Sequence, residues 1–222
     1  MSESQQTTGA AESPHAGSLG ATLLRAAWLA ILLGFVMEAL LLIFAAGFGI
    51  FPGLESMIED LAGKVTWSTL VCAGLALGTA ASRARAPLMG VLGLFAAPIA
   101  FHASRALQQG VAKTLEEVAA GASIANQTLI FLALFKAVEY ACLGVLIGWI
   151  QQRSRGWLAH AVVGLAVGIV FGGAIVSFTY WTSPEPLAAT DLFSIGINEV
   201  LFPVGCSLVL FAATAMGKRT ES

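Results

Sequence analysis

The sequence predicts an all-α integral membrane protein with six transmembrane helices, and three observations support this fold class. The chain has 222 residues, of which 57% are hydrophobic and 11% are charged, whereas soluble domains carry about 25% charged residues. The charged residues cluster between six apolar runs, each near the length that crosses a bilayer as a helix. The runs lack the alternating polarity of outer-membrane strands. They cover approximately residues 26–47, 66–82, 87–104, 127–150, 157–180 and 192–216.

Residues 1–20 precede the first run and are rich in Ser, Thr, Gln, Gly and Ala. Such a segment cannot bury enough apolar surface to offset the entropy of ordering, so it is predicted to be a disordered N-terminal tail. It lacks the basic region and the short apolar core of a signal peptide. The rest of the chain, residues 21–222, is therefore predicted to form one six-helix membrane domain.

The distribution of Lys and Arg between the loops predicts the orientation. Seven basic residues fall on the side that holds both chain termini, and three fall on the other side. Because basic residues favour the cytoplasmic side, both termini are predicted to be cytoplasmic in a multi-pass protein of the cell membrane. The seven are Arg25, Arg83, Arg85, Arg153, Arg155, Lys218 and Arg219; the three are Lys64, Arg105 and Lys113.

Two loops on the outer side have apolar residues at helical spacing. They cover residues 52–64 and residues 107–120. Each is predicted to be a short amphipathic helix on the outer surface of the membrane. An extension of the preceding span is the alternative interpretation.

The order of the first three spans is repeated in the last three. The first half covers about residues 21–108 and the second about residues 123–217. Each half has an odd number of spans, so the second half would be inverted in the membrane, as in many secondary transporters whose binding site lies between the repeats. Five pairs of residues align: Glu38 with Glu139, Trp67 with Trp157, Gly74 with Gly164, Gly78 with Gly168, and Pro98 with Pro203.

The aligned glycines form two GxxxG patterns, Gly74/Gly78 and Gly164/Gly168. Glycine lacks a side chain, so such patterns allow helices to approach closely. They predict packing against neighbouring helices of the same chain. A homodimer interface, or an interface with another membrane protein, is the second interpretation.

Three carboxylates lie inside the apolar runs at similar predicted depth: Glu38, Glu139 and Glu199. An ionisable residue at this depth is costly, and it indicates a functional site. Lys136 precedes Glu139 by three residues and is expected to form an ion pair with it on the same helix face. Glu38 and Glu199 have no evident counter-charge, so each is expected to be protonated, to reach Lys136 or to bind a cation. Protonated carboxyl groups that hydrogen-bond between helices are the purely structural alternative.

Further residues are predicted to support this site. Asn198 and Tyr140 are candidate hydrogen-bond donors to the cavity. Pro98 and Pro203 lack the amide proton that a helix uses, so they are expected to free backbone carbonyl groups. His102 is expected to pair with a carboxylate in the outer half. It is predicted to lie at the opposite face from His160, which argues against a haem shared by the two, and no metal or cofactor is predicted.

The chain has no HExxH, GxSxG or Walker motif, so no enzymatic activity is predicted. It also lacks the polybasic patches of nucleic-acid-binding proteins. The sequence therefore predicts a transporter or channel-like carrier of a small cationic or polar solute, with proton coupling through the intramembrane carboxylates as an option. The alternative is a non-transporting scaffold, assembly factor or subunit of a larger membrane complex. The residues expected to bind or couple are Glu38, Lys136, Glu139, Asn198 and Glu199.

Overall fold

A computed structural model describes residues 14–81, 84–114, 126–183 and 186–219, with side chains at 19–81, 84–114, 128–183 and 186–217. Within these ranges the secondary structure consists of six long α-helices without strands. All six are long and apolar enough to cross a membrane. The fold is therefore all-helical and compatible with a six-span membrane protein, as predicted. The helices are α1 Pro14–Gly47, α2 Leu54–Gly78, α3 Arg85–Thr114, α4 Asn126–Gln152, α5 Trp157–Thr182 and α6 Ala189–Arg219.

Two helices are longer than the apolar runs that predict them. α2 begins at Leu54, so residues 54–64 continue into the second span and the prediction of a separate surface helix there is wrong. No proline interrupts residues 54–78, and Pro52 and Gly53 lie before the start of the helix. α3 continues to Thr114; the rest of the predicted 107–120 helix lies outside the described residues. α1 begins at Pro14, within the predicted tail, and residues 1–13 lie outside the description.

The helices form a ring in which each helix packs against its sequence neighbours and α6 returns to α1. α6 also contacts α2 and α4, so it lies partly inside the ring. Neighbouring helices run in opposite directions. From Ala30 to Gly34 of α1, the facing residue of α2 changes from Ser68 to Val65. From Arg25 to Leu33 of α1, the facing residue of α6 changes from Gly217 to Gly205. We call the end that holds the start of α1 and the end of α6 the terminal end, and the opposite end the distal end.

The four glycines of the GxxxG patterns lie at helix contacts within the chain. Gly74 faces Ala96 of α3, and Gly78 faces Met89 of the same helix. The second pair contacts α6 instead, with Gly164 against Val204 and Gly168 against Val200. The aligned glycines therefore have the same role in both halves, because each pair joins the second helix of its half to the third.

Two glycines, Gly93 of α3 and Gly144 of α4, allow the close contact between these two helices. A Cβ atom added to Gly93 would collide with the carbonyl oxygen of Tyr140, and one added to Gly144 would collide with that of Met89. Backbone carbonyl groups cannot move aside as a flexible side chain can. These two helices are therefore held at a distance that only glycine permits.

We predict that Gly93→Ala destabilises the protein by about 1–3 kcal/mol, because the new methyl group overpacks the α3–α4 contact. The matched control is Gly173→Ala, since a Cβ atom there meets open space. The control is expected to be neutral or to stabilise α5 by up to about 1 kcal/mol through helix propensity. Thermal unfolding of the detergent-purified variants measures both effects. Equal stability of the two variants would contradict this account of the packing.

Candidate functional site

A cavity of about 440 Å³ lies in the distal half of the bundle, between α1, α2, α3, α4 and α6. Its rim includes Asp60 and Ser194, whose side chains are exposed. The aromatic part of its lining is Trp67, Phe101 and Phe202. We call it the distal cavity. The polar residues that line it are Asp60, Lys64, Ser104, Arg105, Gln108, Lys136, Ser194, Asn198 and Glu199.

Three charged residues of the distal cavity lie in one layer of the bundle. Lys64, Lys136 and Glu199 each lie ten residues after the first residue of their helices, α2, α4 and α6. At a rise of about 1.5 Å per residue, each is roughly 15 Å from the distal end. In a bilayer about 30 Å thick, this places the layer near the middle.

Lys136 connects two of the predicted carboxylates. Its Nζ donates to Oε2 of Glu139 at 3.0 Å and to Oε2 of Glu199 on the neighbouring helix α6. The Glu139 side chain is fully buried, and those of Lys136 and Glu199 are about 10% exposed. The local pair with Glu139 is the one that the spacing predicts. The pair with Glu199 gives that carboxylate a counter-charge, which is one of the three states that the sequence left open for it.

Two aromatic rings enclose the Lys136 ammonium group. Nζ lies 5.4 Å from the centroid of the Trp67 ring and 5.8 Å from that of the Tyr140 ring. The indole Nε1 of Trp67 donates to the Tyr140 hydroxyl at 3.4 Å, which fixes the two rings relative to each other. The negative face of an aromatic ring attracts a cation, so the rings stabilise the lysine in its charged form. Tyr140 is a predicted site residue, but it does not line the cavity. Its ring contacts Lys136, and its hydroxyl group accepts the hydrogen bond from Trp67.

The third carboxylate also has a lysine partner. Lys64 Nζ lies 2.6 Å from Oε2 of Glu38, with both side chains about nine-tenths buried, and 3.7 Å from the exposed Asp60. The sequence assigned Lys64 to an outer loop and left Glu38 without a counter-charge. Both expectations are wrong for one reason. Because α2 begins at Leu54, Lys64 lies inside the bundle at the depth of Glu38.

Asn198 lines the distal cavity, and its Oδ1 is buried without a hydrogen-bond partner among the described residues. Oε1 of Glu139 is in the same condition. An unpaired buried polar atom costs about 1–3 kcal/mol. The cavity therefore has two acceptor atoms in its vicinity that water, a proton or a solute can satisfy.

Three predicted supporting residues lie away from the cavity lining. His102 is exposed on α3 with its ring against Phe101, so the expected pairing with a carboxylate is not found in the described ranges. Pro203 is buried on α6, and its carbonyl oxygen faces Gly164. Pro98 is partly buried on α3. Both helices continue through their prolines.

Sequence reasoning missed the contribution of α3 to the cavity. Ser104, Arg105 and Gln108 line it; Ser104 is the last residue of the apolar run that defines the third span, and the other two follow it. The Arg105 guanidinium lies 5.8 Å from the centroid of the Phe101 ring, and the described side chains give it no ion pair. The only signal in the sequence was the short spacing of three polar residues on one helical face.

The fixed charges around the cavity do not cancel. Four carboxylates and three cations either line it or bind directly to a lining residue, which leaves a net charge of −1 when all are ionised. Lys64 and Lys136 are each shared between two carboxylates, but Asp60 beside Lys64 is exposed to solvent, whereas the side chains of Glu139 and Glu199 beside Lys136 are both largely buried. The excess negative charge that is buried therefore lies at Lys136. The carboxylates are Glu38, Asp60, Glu139 and Glu199; the cations are Lys64, Arg105 and Lys136.

His160 lies three residues after the start of α5, near the terminal end, whereas His102 lies 17 residues after the start of α3. At about 1.5 Å per residue, the two histidines are therefore at different depths in the bundle. No three His, Cys, Asp or Glu side chains converge as a metal site in the part of the chain that the structure describes. No protein-family model, curated protein or solved structure matches this chain. The functional interpretation therefore depends on the geometry of the distal cavity.

We predict that Lys136→Met destabilises the protein by about 3–5 kcal/mol, because it leaves two buried carboxylates without their counter-charge. Adding Glu139→Gln and Glu199→Gln to the same chain is expected to restore most of the loss, since the three groups are then neutral. Chemical or thermal unfolding in detergent measures both changes. A single variant as stable as the wild type would show that Lys136 does not compensate these carboxylates.

Proposed function

We propose that the protein transports a small cationic or polar solute through the distal cavity. The observation that carries this proposal is the sharing of Lys136 between Glu139 and Glu199. Ionisable groups at this depth are costly and are typical of substrate and ion pathways. Here Lys136 compensates the charge of only one of its two carboxylate partners. The negative charge of the second carboxylate remains available to a solute at the inner wall of a cavity with an exposed rim.

The cavity supplies groups for both ends of a polar solute. The excess carboxylate can bind a cationic group, and the faces of Trp67 and Phe101 can stabilise the same charge. Arg105 and the amide of Asn198 can bind acceptor groups of the solute. The volume of about 440 Å³ is within the range of small-molecule sites. This combination suits an amine or zwitterion better than a wholly apolar molecule.

A proton and a cationic solute would compete for the same charge. Either one neutralises the excess carboxylate of the Glu139–Lys136–Glu199 cluster, so binding of one weakens binding of the other by thermodynamic linkage. Oε1 of Glu139, which is buried and unpaired among the described atoms, is the atom best placed to hold the proton. This competition is the physical basis on which we include proton coupling in the proposal.

We further propose that the chain is a 3+3 inverted repeat with both termini in the cytoplasm. The matched glycine contacts of α2 with α3 and of α5 with α6 support the repeat. A second pocket at the terminal end lies between the start of α5, the end of α6 and the start of α3. The repeat relates these segments to the start of α2, the end of α3 and the start of α6, which line the distal cavity. Two such related openings are what alternating access requires.

A non-transporting partner of other membrane proteins is the second candidate function. An apolar groove of about 690 Å³ runs between α5 and α6 on the outside of the bundle. Gly172, Gly173 and Gly196 line it, and such small residues allow another helix to approach closely. The two candidates differ in which residues matter: transport depends on Glu199, and a scaffold depends on the groove.

We predict that a screen of cations and small amines finds a ligand that raises the thermal stability of the purified protein. At a hundred times its dissociation constant, the ligand should add about 2.7 kcal/mol. Glu199→Gln should abolish this stabilisation and the uptake of the ligand into proteoliposomes. Glutamine still accepts a hydrogen bond from Lys136 and makes the cluster neutral, so the variant is expected to fold.

Asp191→Asn is the matched control, since Asp191 is exposed on the same helix and does not line the cavity. It should leave binding and uptake unchanged. Uptake that survives in Glu199→Gln would overturn the proposed role of the carboxylate. A screen without any ligand, together with loss of partner capture on Gly173→Leu, would favour the scaffold.

We also predict the direction in which the distal cavity faces. In a background without cysteine, Ser104→Cys should react with a membrane-impermeant thiol reagent added to intact cells, because Ser104 lines the distal cavity and the proposed cytoplasmic termini put that end of the bundle outside the cell. Gln152→Cys, exposed near the terminal end, should react only after the membrane is permeabilised. The reverse pattern would show that the cavity faces the cytoplasm.

A further inference from the structure

The terminal pocket, a cavity of about 290 Å³ at the terminal end of the bundle, has a chemistry unlike that of the distal cavity. Two arginines line it, and none of the described residues around it is acidic. Arg85 comes from the first residue of α3, and Arg155 comes from the loop between α4 and α5. Arg85 also donates from Nε to the Ala81 carbonyl at 3.3 Å, which fixes the base of its side chain. The pocket is therefore a positively charged concavity.

Buried polar atoms around this pocket lack partners. His160 is only 1% exposed, and its Nδ1 lies 3.1 Å from the Gly156 carbonyl oxygen. A carbonyl oxygen only accepts, so Nδ1 carries the proton and Nε2 is the unprotonated nitrogen of the neutral ring. Nε2 of His160 is buried without a partner among the described atoms, and so are both side-chain polar atoms of Gln151. Each such atom is costly to leave unpaired.

The start of α5 adds to the positive character. Gly156 is the N-cap residue, and it provides no side-chain hydrogen bond to the first turn. The amide groups at a helix N-terminus favour an anion when they are not capped. α5 has 26 residues, and its first turn begins directly after Gly156, which lines the pocket. Two guanidinium groups, an uncapped helix start and the unpaired His160 nitrogen thus surround one space.

We propose that the terminal pocket binds a phosphate group. Arginine binds phosphate oxygens in a bidentate manner, and Arg85 and Arg155 supply two such forks. The Nε2 atom of His160 accepts a hydrogen bond from a protonated phosphate oxygen, or donates one when the imidazole is charged. Gln151 contributes an amide donor. The group comes either from a soluble phosphate or from the headgroup of an anionic lipid, and exposed Trp157 beside the pocket is of the type found at headgroup level.

This proposal does not rest on the proposed transport function: it involves none of the residues of the distal cavity, and a phosphate site here would remain if the pocket is not a transport opening. Its test uses the full chain. Inorganic phosphate is titrated by calorimetry into detergent-purified protein at constant ionic strength. In a second arm, native mass spectrometry compares retention of phosphatidic acid with that of phosphatidylcholine.

Arg155→Gln and Arg85→Gln should each weaken binding about tenfold or more, since each removes charged hydrogen bonds to phosphate. Arg155 is exposed, so its variant is expected to fold normally. Arg153→Gln is the matched control: Arg153 belongs to the same loop and has the same charge, but its guanidinium stacks 3.7 Å from the centroid of the Trp149 ring, outside the pocket. Its affinity should stay within about twofold of the wild type.

Binding of inorganic phosphate that depends on Arg155 but not on Arg153 would identify a soluble ligand. Retention of phosphatidic acid alone, with the same dependence, would identify a lipid headgroup. Either result supports the site. Failure of both probes to bind would overturn the proposal, and so would equal weakening by Arg153→Gln, because that would show a diffuse attraction to basic loops.

Discussion

The need to compensate charge at mid-depth is the constraint on which the arrangement of the bundle depends. An unpaired lysine or carboxylate in a low-dielectric interior is strongly destabilising, whereas a well-formed pair is tolerated. Lys136 satisfies this requirement across α4 and α6, and Lys64 does so across α1 and α2. Each lysine therefore restricts the rotation of its own helix and of the partner helix. The distal cavity lies between these two sets of pairs, so the same contacts determine where its charges point.

The sequence was sufficient for features that depend on one helix at a time. Hydropathy predicts the six helices, because each must bury its backbone hydrogen bonds and present apolar side chains outward. The pairing of Lys136 with Glu139 follows from a spacing of three residues on one helix. The similar depth of Glu139 and Glu199 follows from counting residues along regular helices. Each of these inferences needs only local geometry.

Features that depend on two helices could not be derived in this way. The sequence offered the pairing of Lys136 with Glu199 only as one of three states of Glu199, because a choice among them requires knowledge of how α4 and α6 are rotated. The pairing of Lys64 with Glu38 was hidden for another reason, since the polar residues near the start of α2 resemble a surface segment. The α3–α4 contact depends on Gly93 and Gly144, whose importance appears only when the facing carbonyl groups are known.

Under the proposed repeat, the two halves would share a packing scheme and differ in chemistry. It would place Ser154 opposite Lys64, Phe35 opposite Lys136 and Leu94 opposite Glu199. Among the charged residues of the two lysine clusters, Glu38 and Glu139 match each other, whereas Lys64, Lys136 and Glu199 each have an uncharged counterpart. A packing scheme of this kind gives two similar openings, one at each end. Unequal side chains then make the distal cavity a place of mixed charge and the terminal pocket a basic one.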